Sequence, residues 1–137
     1  MLKRLFDRFR KKPDLFLTAE DHALLWELAM TGARIIPFGS RVVCNPPPTT
    51  SDFDYAVLAT DEVVKMLRHN GFDTNGNRYQ GPFFSYRRGA LNLLLVETMD
   101  YLNSIAVANE ECRRHNYRKK ADRIAVFKRI VYPGFTS

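Results

Sequence analysis

Two short motifs combine residue types that could hold a phosphorylated ligand and a metal ion. Phe38-Gly39-Ser40 is followed, after eleven residues, by Asp52-Phe53-Asp54-Tyr55. Alternate residues of a strand share one face, so Asp52 and Asp54 would project to the same side, about 6.6 Å apart along the strand. Two such carboxylates repel each other unless a cation lies between them or one of them is protonated. Oxygen ligands of this kind suit Mg²⁺ or Mn²⁺ rather than zinc.

The Gly39-Ser40 pair contributes the other half of the predicted site. It follows a short apolar strand, residues 34–38, and we expect it to open a helical turn whose backbone N–H groups and Ser40 hydroxyl face an anion. Gly39 has no Cβ and would let a phosphate approach the backbone closely. A phosphate cradle beside a carboxylate pair predicts a site for a nucleoside triphosphate with Mg²⁺. The alternative is a surface turn followed by a loop rich in helix-capping residues.

The joint pattern resembles the signature of the nucleotidyltransferase superfamily of the DNA polymerase beta type. That signature is a hydrophobic residue, Gly, then Gly or Ser, a gap, and then two acids that alternate with hydrophobic residues. The context from Gly39-Ser40-Arg41 to Thr50-Ser51-Asp52-Phe53-Asp54 looks like the small stand-alone members, some of them phage-encoded. The resemblance is concentrated in residues 36–58 and extends to residue 97. It implies that Gly39-Ser40 holds the β- and γ-phosphates and that both acids bind metal ions.

The resemblance also implies a third carboxylate on a later strand, where this chain has Asn92. In active members that acid helps to deprotonate the attacking hydroxyl and completes a second metal site, whereas an amide can be a weak metal ligand but not a base. If Gly89-Ala90 is a two-residue turn, Arg87 lies directly across from Asn92, and a cation occupies the neighbourhood of the second metal. Glu97 or Asp100 could replace the missing acid.

These observations define the predicted site. We predict that Arg41 contacts the triphosphate. The alternative is that Arg41 is simply an exposed residue at the start of a helix. The catalytic positions are Asp52, Asp54 and Asn92. The metal ligands are Asp52 and Asp54. The nucleotide contacts are Gly39, Ser40, Arg41 and Arg87.

The elements around the motifs predict a single domain over residues 1–137, of α+β class with mixed α/β character. A small central mixed or antiparallel sheet of about four strands would be flanked by helices on one face or at both ends, and the resemblance implies a nucleotidyltransferase-like fold. Residues 72–81 are predicted as a loop with a tight turn at Asn75-Gly76. The strands are predicted at 34–38, 52–59, 83–88 and 91–97. The helices are predicted at 1–12 (basic and amphipathic), from Thr18 to Gly32, at 61–70, and as a C-terminal pair within 98–132.

Composition and charge narrow the class of protein. The 137 residues are 45% hydrophobic and 26% charged, which is typical of a globular domain, and no apolar run is long enough to span a membrane. The net charge of +6 divides into +5 over residues 1–12, +7 over residues 113–129 and −6 over the remainder. Positive flanks around an acidic centre suit a polyanion, although charged runs are often only solvated faces. Two cysteines without metal-ligand spacing and the lack of a secretory signal indicate a cytoplasmic protein, in the host cytoplasm if phage-encoded.

Three functions are compatible with these features. The first is a Mg²⁺- or Mn²⁺-dependent nucleotidyltransferase that moves a nucleoside monophosphate from a nucleoside triphosphate to an acceptor hydroxyl on RNA, a protein or a small alcohol. The second is a catalytically impaired protein of the same fold that binds nucleotide or a protein partner without turnover. The third, which rests on the charged ends alone, is a basic nucleic-acid-binding domain. The sequence does not select the base, the acceptor or the oligomeric state.

Overall fold

A computed structural model of the protein describes residues 12–73, 77–78 and 81–135. The predicted basic helix of residues 1–12 lies, apart from Lys12, outside the described residues. The predicted tight turn at Asn75-Gly76 also lies outside them.

The helices begin where the sequence predicts them. Thr18, Thr60 and Thr98 each cap a helix, because each hydroxyl accepts a hydrogen bond from the backbone N–H three residues further on. Within the described ranges, no helix is both long enough and apolar enough to cross a membrane. The helices of the described part are α1 (Ala19–Met30), α2 (Ser40–Val43), α3 (Asp61–His69), α4 (Met99–His115) and α5 (Lys120–Val131).

The strands form one mixed sheet with the spatial order β1-β2-β5-β4-β3. The two central strands, β2 and β5, are parallel, and every other neighbouring pair is antiparallel. The predicted sheet of four strands is therefore confirmed, and the two-residue β3, inside the predicted loop 72–81, adds a short edge. The strands are β1 (Ile35–Phe38), β2 (Phe53–Leu58), β3 (Asn77–Arg78), β4 (Phe84–Arg88) and β5 (Leu91–Val96).

Helices cover both faces of the sheet, which corrects the prediction of helices on one face or at both ends. On one face, Val57, Leu91 and Leu93 pack with Leu24 of α1 and Val63 of α3. Because side chains alternate along a strand, the intervening residues face the other way. There, a second core joins the sheet to α4 and α5 through residues including Phe38, Ala56, Leu94, Val96, Ile105 and Phe127.

Asp54 and Asn92 interrupt the core that the sheet shares with α4 and α5. They occupy the same face of β2 and β5 as Ala56 and Leu94, two residues nearer the strand starts. Two neighbouring apolar strands thus each carry one polar residue at the same level. This level is the end of the sheet at which β1 runs into α2, and it positions the candidate site.

Candidate functional site

Four side chains form a row across the sheet. The register places Phe38 beside Asp54, Asp54 beside Asn92, and Asn92 beside Arg87. Nδ2 of Asn92 donates a 2.8 Å hydrogen bond to Oδ1 of Asp54. Asn92 is completely buried, and its Oδ1 has no hydrogen-bond partner among the described residues. The predicted opposition of Arg87 and Asn92 is confirmed, because Gly89 and Ala90 are the two-residue turn of the β4–β5 hairpin.

Arg87 forms an ion pair with Asp52. Its Nη1 donates to Oδ2 of Asp52, which lies immediately before β2. The two side chains are 48% and 31% exposed, so the pair lies at the mouth of the site and not in the core. The carboxylates therefore differ in their partners: Asp52 contacts a cation, whereas the hydrogen bond to Asp54 comes from a neutral amide.

Burial raises the pKa of Asp54 from 3.8 to about 6. The hydrogen bond from Asn92 opposes this rise, the negative charge of Asp52 adds to it, and the positive charges of Arg87 and Lys120 oppose it. The ionised form of Asp54 is thus disfavoured at this position, and a bound cation would stabilise it. Strongly shifted carboxyl groups inside a pocket are typical of functional sites.

Gly39 lets the β1–α2 bend lie against Asp54. It has a φ of +84° and precedes the single turn of α2, which begins at Ser40. A Cβ built at Gly39 would overlap Oδ2 of Asp54 and would lie 3.2 Å from its Cγ. The space that the sequence assigns to an approaching phosphate is therefore partly taken by the carboxylate. Contact of Gly39 and Ser40 with phosphate stays a prediction, but the bend and the acids are neighbours, as predicted.

The bend and both acids open onto one pocket of about 410 Å³, within the range of about 300–1,000 Å³ of small-molecule sites. Its walls are the end of the sheet, the segment before β2, and helices α4 and α5. Five predicted site residues line it, and Asn92 lies buried beside Asp54. The lining comprises Lys12, Phe38, Gly39, Ser40, Val43, Thr50, Ser51, Asp52, Asp54, Arg87, Ala108, Asn109, Cys112, Lys120, Arg123, Ile124 and Phe127.

Arg41 does not line the pocket, which corrects the prediction that it contacts the triphosphate. Its guanidinium donates to the carbonyl oxygens of Leu15, Thr49 and Ser51, each at 2.9 Å, and lies 4.0 Å from the ring centroid of Phe53. These carbonyls lie outside the helices and strands, in two segments that also meet directly, because the Leu15 N–H donates to the Thr49 carbonyl at 2.8 Å. Arg41 therefore holds in place the segment that carries Asp52.

The segment before β2 is also held from its other end. The Asn116 side chain accepts from the Asn45 N–H at 2.9 Å and donates to the Asn45 carbonyl at 3.1 Å. Arg118 donates to the carbonyl of Pro46 at 2.8 Å. The turn between α4 and α5 thus anchors the start of the segment, while Arg41 anchors its end.

Glu97 and Asp100 do not join the site. Both are exposed, and neither lines the pocket. Glu97 lies five residues beyond Asn92, which corresponds to about 16 Å along an extended chain. The structure therefore places neither acid where a third carboxylate is expected.

Sequence reasoning missed the wall that α4 and α5 contribute. Lys120 and Arg123, on the first turns of α5, line the pocket together with Lys12 and Asn109. The available signal was the i,i+3 spacing of Lys120 and Arg123 inside the basic run 113–129, because such residues share one helix face. Cys112 also lines the pocket, but burial raises the pKa of its thiol and makes it a poor nucleophile.

The oxygen-bearing side chains of the pocket are of the type that magnesium prefers. Among the described residues, no cluster of three or more histidine, cysteine or acidic side chains could hold a metal. Mg²⁺ commonly binds through one or two carboxylates together with substrate phosphates and water. Asp52 and Asp54 supply such a pair, and the unpartnered Oδ1 of Asn92 is a neutral oxygen nearby. A two-metal centre would need a further carboxylate that the described site does not contain.

No protein-family model, curated protein or solved structure matches this chain. The resemblance to nucleotidyltransferases therefore rests on the two sequence motifs alone and stays a prediction.

Proposed function

We propose that the protein is a magnesium-dependent nucleotidyltransferase. It transfers a nucleoside monophosphate from a nucleoside triphosphate to an acceptor hydroxyl and releases pyrophosphate. The observation that carries the proposal is the convergence of Asp52, Asp54 and the Gly39-Ser40 bend on one pocket of about 410 Å³. Neither motif is specific alone, but their meeting in one cavity supports a site for a metal-bound polyphosphate.

The charge of the pocket favours a polyanion. Four cationic side chains line its described part, against the two carboxylates. A cleft with such an excess attracts anionic ligands and raises their local concentration. Lys120 and Arg123 enter from α5, opposite the sheet, so a polyphosphate between the two walls would meet positive charge on both sides. The cations are Lys12, Arg87, Lys120 and Arg123.

Asp52 and Asp54 would hold the magnesium or manganese ion. Bound there, the ion would neutralise phosphate charge and align the phosphate oxygens. Deprotonated Asp54 is needed for this role, and at neutral pH a carboxyl with a pKa of about 6 is mostly ionised.

In the transfer, the acceptor hydroxyl oxygen forms a bond to the α-phosphorus. The bond from that phosphorus to the α–β bridging oxygen breaks, and pyrophosphate leaves with the bonding electrons. Asn92 cannot accept the hydroxyl proton, which passes to water. Phosphoryl transfer depends mainly on positioning and electrostatic stabilisation, so the basic wall would contribute by neutralising the leaving pyrophosphate.

A second candidate is nucleotide binding without turnover. The observation that favours it is the buried amide of Asn92 in the row where an active member of the family would carry its third acid. A protein of this kind would sense or sequester a nucleotide, or present the occupied pocket to a partner.

One experiment separates the two candidates. The protein is incubated with each of the four nucleoside triphosphates, labelled at the α-phosphate, with Mg²⁺ or Mn²⁺, and binding, label transfer and pyrophosphate are measured. RNA, the protein itself and glycerol serve as acceptors. Metal-dependent binding with pyrophosphate release supports the transferase, and binding without release supports the second candidate. No metal-dependent binding of any of the four would overturn both.

A further inference from the structure

We propose that Arg87 is a resident cation that takes the charge-neutralising place of a second metal ion, so that the pocket binds its nucleotide with a single divalent ion. The inference rests on the proposed function, because it concerns how the same site handles the charge of a triphosphate.

The position of Arg87 is set by the backbone. The two-residue turn at Gly89-Ala90 fixes the register of the β4–β5 hairpin, and this register places Arg87 beside Asn92. The parallel pairing of β2 with β5 places Asn92 beside Asp54. The Arg87 guanidinium is thus carried by the fourth strand of the row, at the level of Asp54 and Asn92.

Because of this placement, the two carboxylates have different hydrogen-bond partners. Asp52 accepts from Arg87, whereas Asp54 accepts only from the neutral amide of Asn92 among the described residues. Asp54 is therefore the carboxylate whose charge lacks a cationic hydrogen-bond partner. One divalent ion held by Asp54 and by Oδ1 of Asp52, with the guanidinium on Oδ2 of Asp52, would supply the positive charge that both acids need.

A second divalent ion would lack a ligand carboxylate of its own and would be repelled by the Arg87 guanidinium. The position that would supply another carboxylate carries Asn92, which has no charge to offer. The guanidinium stays protonated throughout the physiological pH range and would repel a second cation beside Asp52.

Arg87 also has donors left for a ligand. A guanidinium carries five N–H donors, and in the described part of the chain Arg87 makes a single hydrogen bond, to Asp52. Its side chain is 48% exposed and lines the pocket. The remaining N–H groups can bind phosphate oxygens while the ion pair holds the arginine in place.

The test counts bound Mn²⁺ by electron paramagnetic resonance, with the protein saturated by a nonhydrolysable triphosphate analogue of each nucleoside in turn. We expect one Mn²⁺ per protein–nucleotide complex. In the double variant Arg87→Ala/Asn92→Asp, which removes the cation and supplies a carboxylate, we expect two. Two Mn²⁺ ions in the wild-type protein, or one in a folded double variant, would overturn the inference.

Single variants give a second readout that does not depend on the double variant folding. Arg87→Gln should weaken binding of the Mn²⁺–nucleotide by about 10- to 100-fold, the worth of a charged hydrogen bond, and Arg87→Lys should restore most of the loss. Arg113→Gln is the matched control, because Arg113 is 49% exposed and ion-paired to Glu110 outside the pocket. Unchanged affinity in Arg87→Gln would overturn the inference and leave the proposed function standing. Failure of the wild-type protein to bind any Mn²⁺–nucleotide would instead remove the proposed function.

Discussion

Asn92 and Asp54 lie side by side on the two central strands and share a 2.8 Å hydrogen bond. The amide partly stabilises a carboxylate that burial disfavours, but it brings no charge. This relationship makes Asp54 the side chain in the pocket with most to gain from a cation, and it underlies both the proposed metal site and the prediction that follows.

Replacing Asp54 with Asn should stabilise the protein while removing its metal-dependent nucleotide binding. Because the pKa of Asp54 is raised to about 6 in the folded protein, the ionised group opposes folding at neutral pH by about 2–3 kcal/mol. As the pH falls from about 6 towards 4, Asp54 becomes protonated in the folded state before it does in the unfolded state. The wild-type protein therefore regains about 2–3 kcal/mol of stability, whereas the variant, which has no carboxyl group at this position, does not change in this way. Urea unfolding of the wild-type protein and the variant at pH 7 and at pH 4 measures the difference in stability at each pH. An equal difference between the two proteins at both pH values would contradict the assignment.

Gly39→Ala should destabilise the protein through contact with Asp54. The added Cβ overlaps the carboxylate in addition to facing a positive φ, and we expect a loss of about 2–4 kcal/mol in the free energy of unfolding. Gly71→Ala is the control, because Gly71 has a φ of +79° but nothing within 4 Å of an added Cβ. Equal losses in the two variants would show that the close approach of Gly39 to Asp54 has no energetic consequence.

The neighbouring arginines Arg87 and Arg88 on β4 should differ in how much each contributes to stability. Arg88 faces away from the pocket, where it binds Asp21 at 2.7 Å and the carbonyl of Asn70 at 2.7 Å, and the Asp21 side chain is 4% exposed. Arg88→Ala leaves that acid buried without its partner and should cost about 3 kcal/mol of stability. Arg87→Ala breaks only a half-exposed ion pair and should cost less than about 1 kcal/mol. Thermal or urea unfolding of both variants checks the contrast, and a large loss in Arg87→Ala would place that residue in the structural core of the site.

The basic wall should matter for affinity. Lys120→Gln removes a positive charge that lines the pocket and should weaken binding of the metal–nucleotide complex by about tenfold, with a smaller difference at high salt. Lys128→Gln, on the same helix but outside the pocket, should leave the affinity unchanged. Titration of a fluorescent nucleotide at low and high salt measures both. Equal weakening in the two variants would mean that α5 acts only through overall charge.

Local signals in the sequence predicted most of the fold. The threonine caps, the alternation in residues 52–59 and the Gly89-Ala90 turn are each decided by residues close in sequence, and all three agree with the structure. The alternation also predicted the shared side of Asp52 and Asp54, which both line the pocket. The two-residue β3 was missed, because its pairing depends on the neighbouring strand and not on a pattern of its own.

The rest of the site depends on tertiary packing. Arg41 was expected at the triphosphate because it follows Gly39-Ser40, yet its Nε and Nη2 donate to the carbonyls of Leu15, Thr49 and Ser51 and it does not line the pocket. Lys120 and Arg123 reach the pocket only because α5 packs over the end of the sheet. The i,i+3 spacing puts the two residues on one face of α5 but does not show that this face meets the sheet, so the basic run alone could not separate pocket residues from a solvated face.

The most direct measurement is equilibrium binding of nucleoside triphosphate analogues, by isothermal titration calorimetry, to the wild-type protein, Asp52→Ala and Asp54→Ala, with and without Mn²⁺. The wild-type protein should bind at least one analogue, and only with the metal present. Each alanine variant should lose this binding by about 100-fold or more, consistent with the loss of a ligand carboxylate. Binding that is the same in all three proteins, or that persists when the metal is chelated, would contradict the assignment of these two acids to a metal-bound polyphosphate.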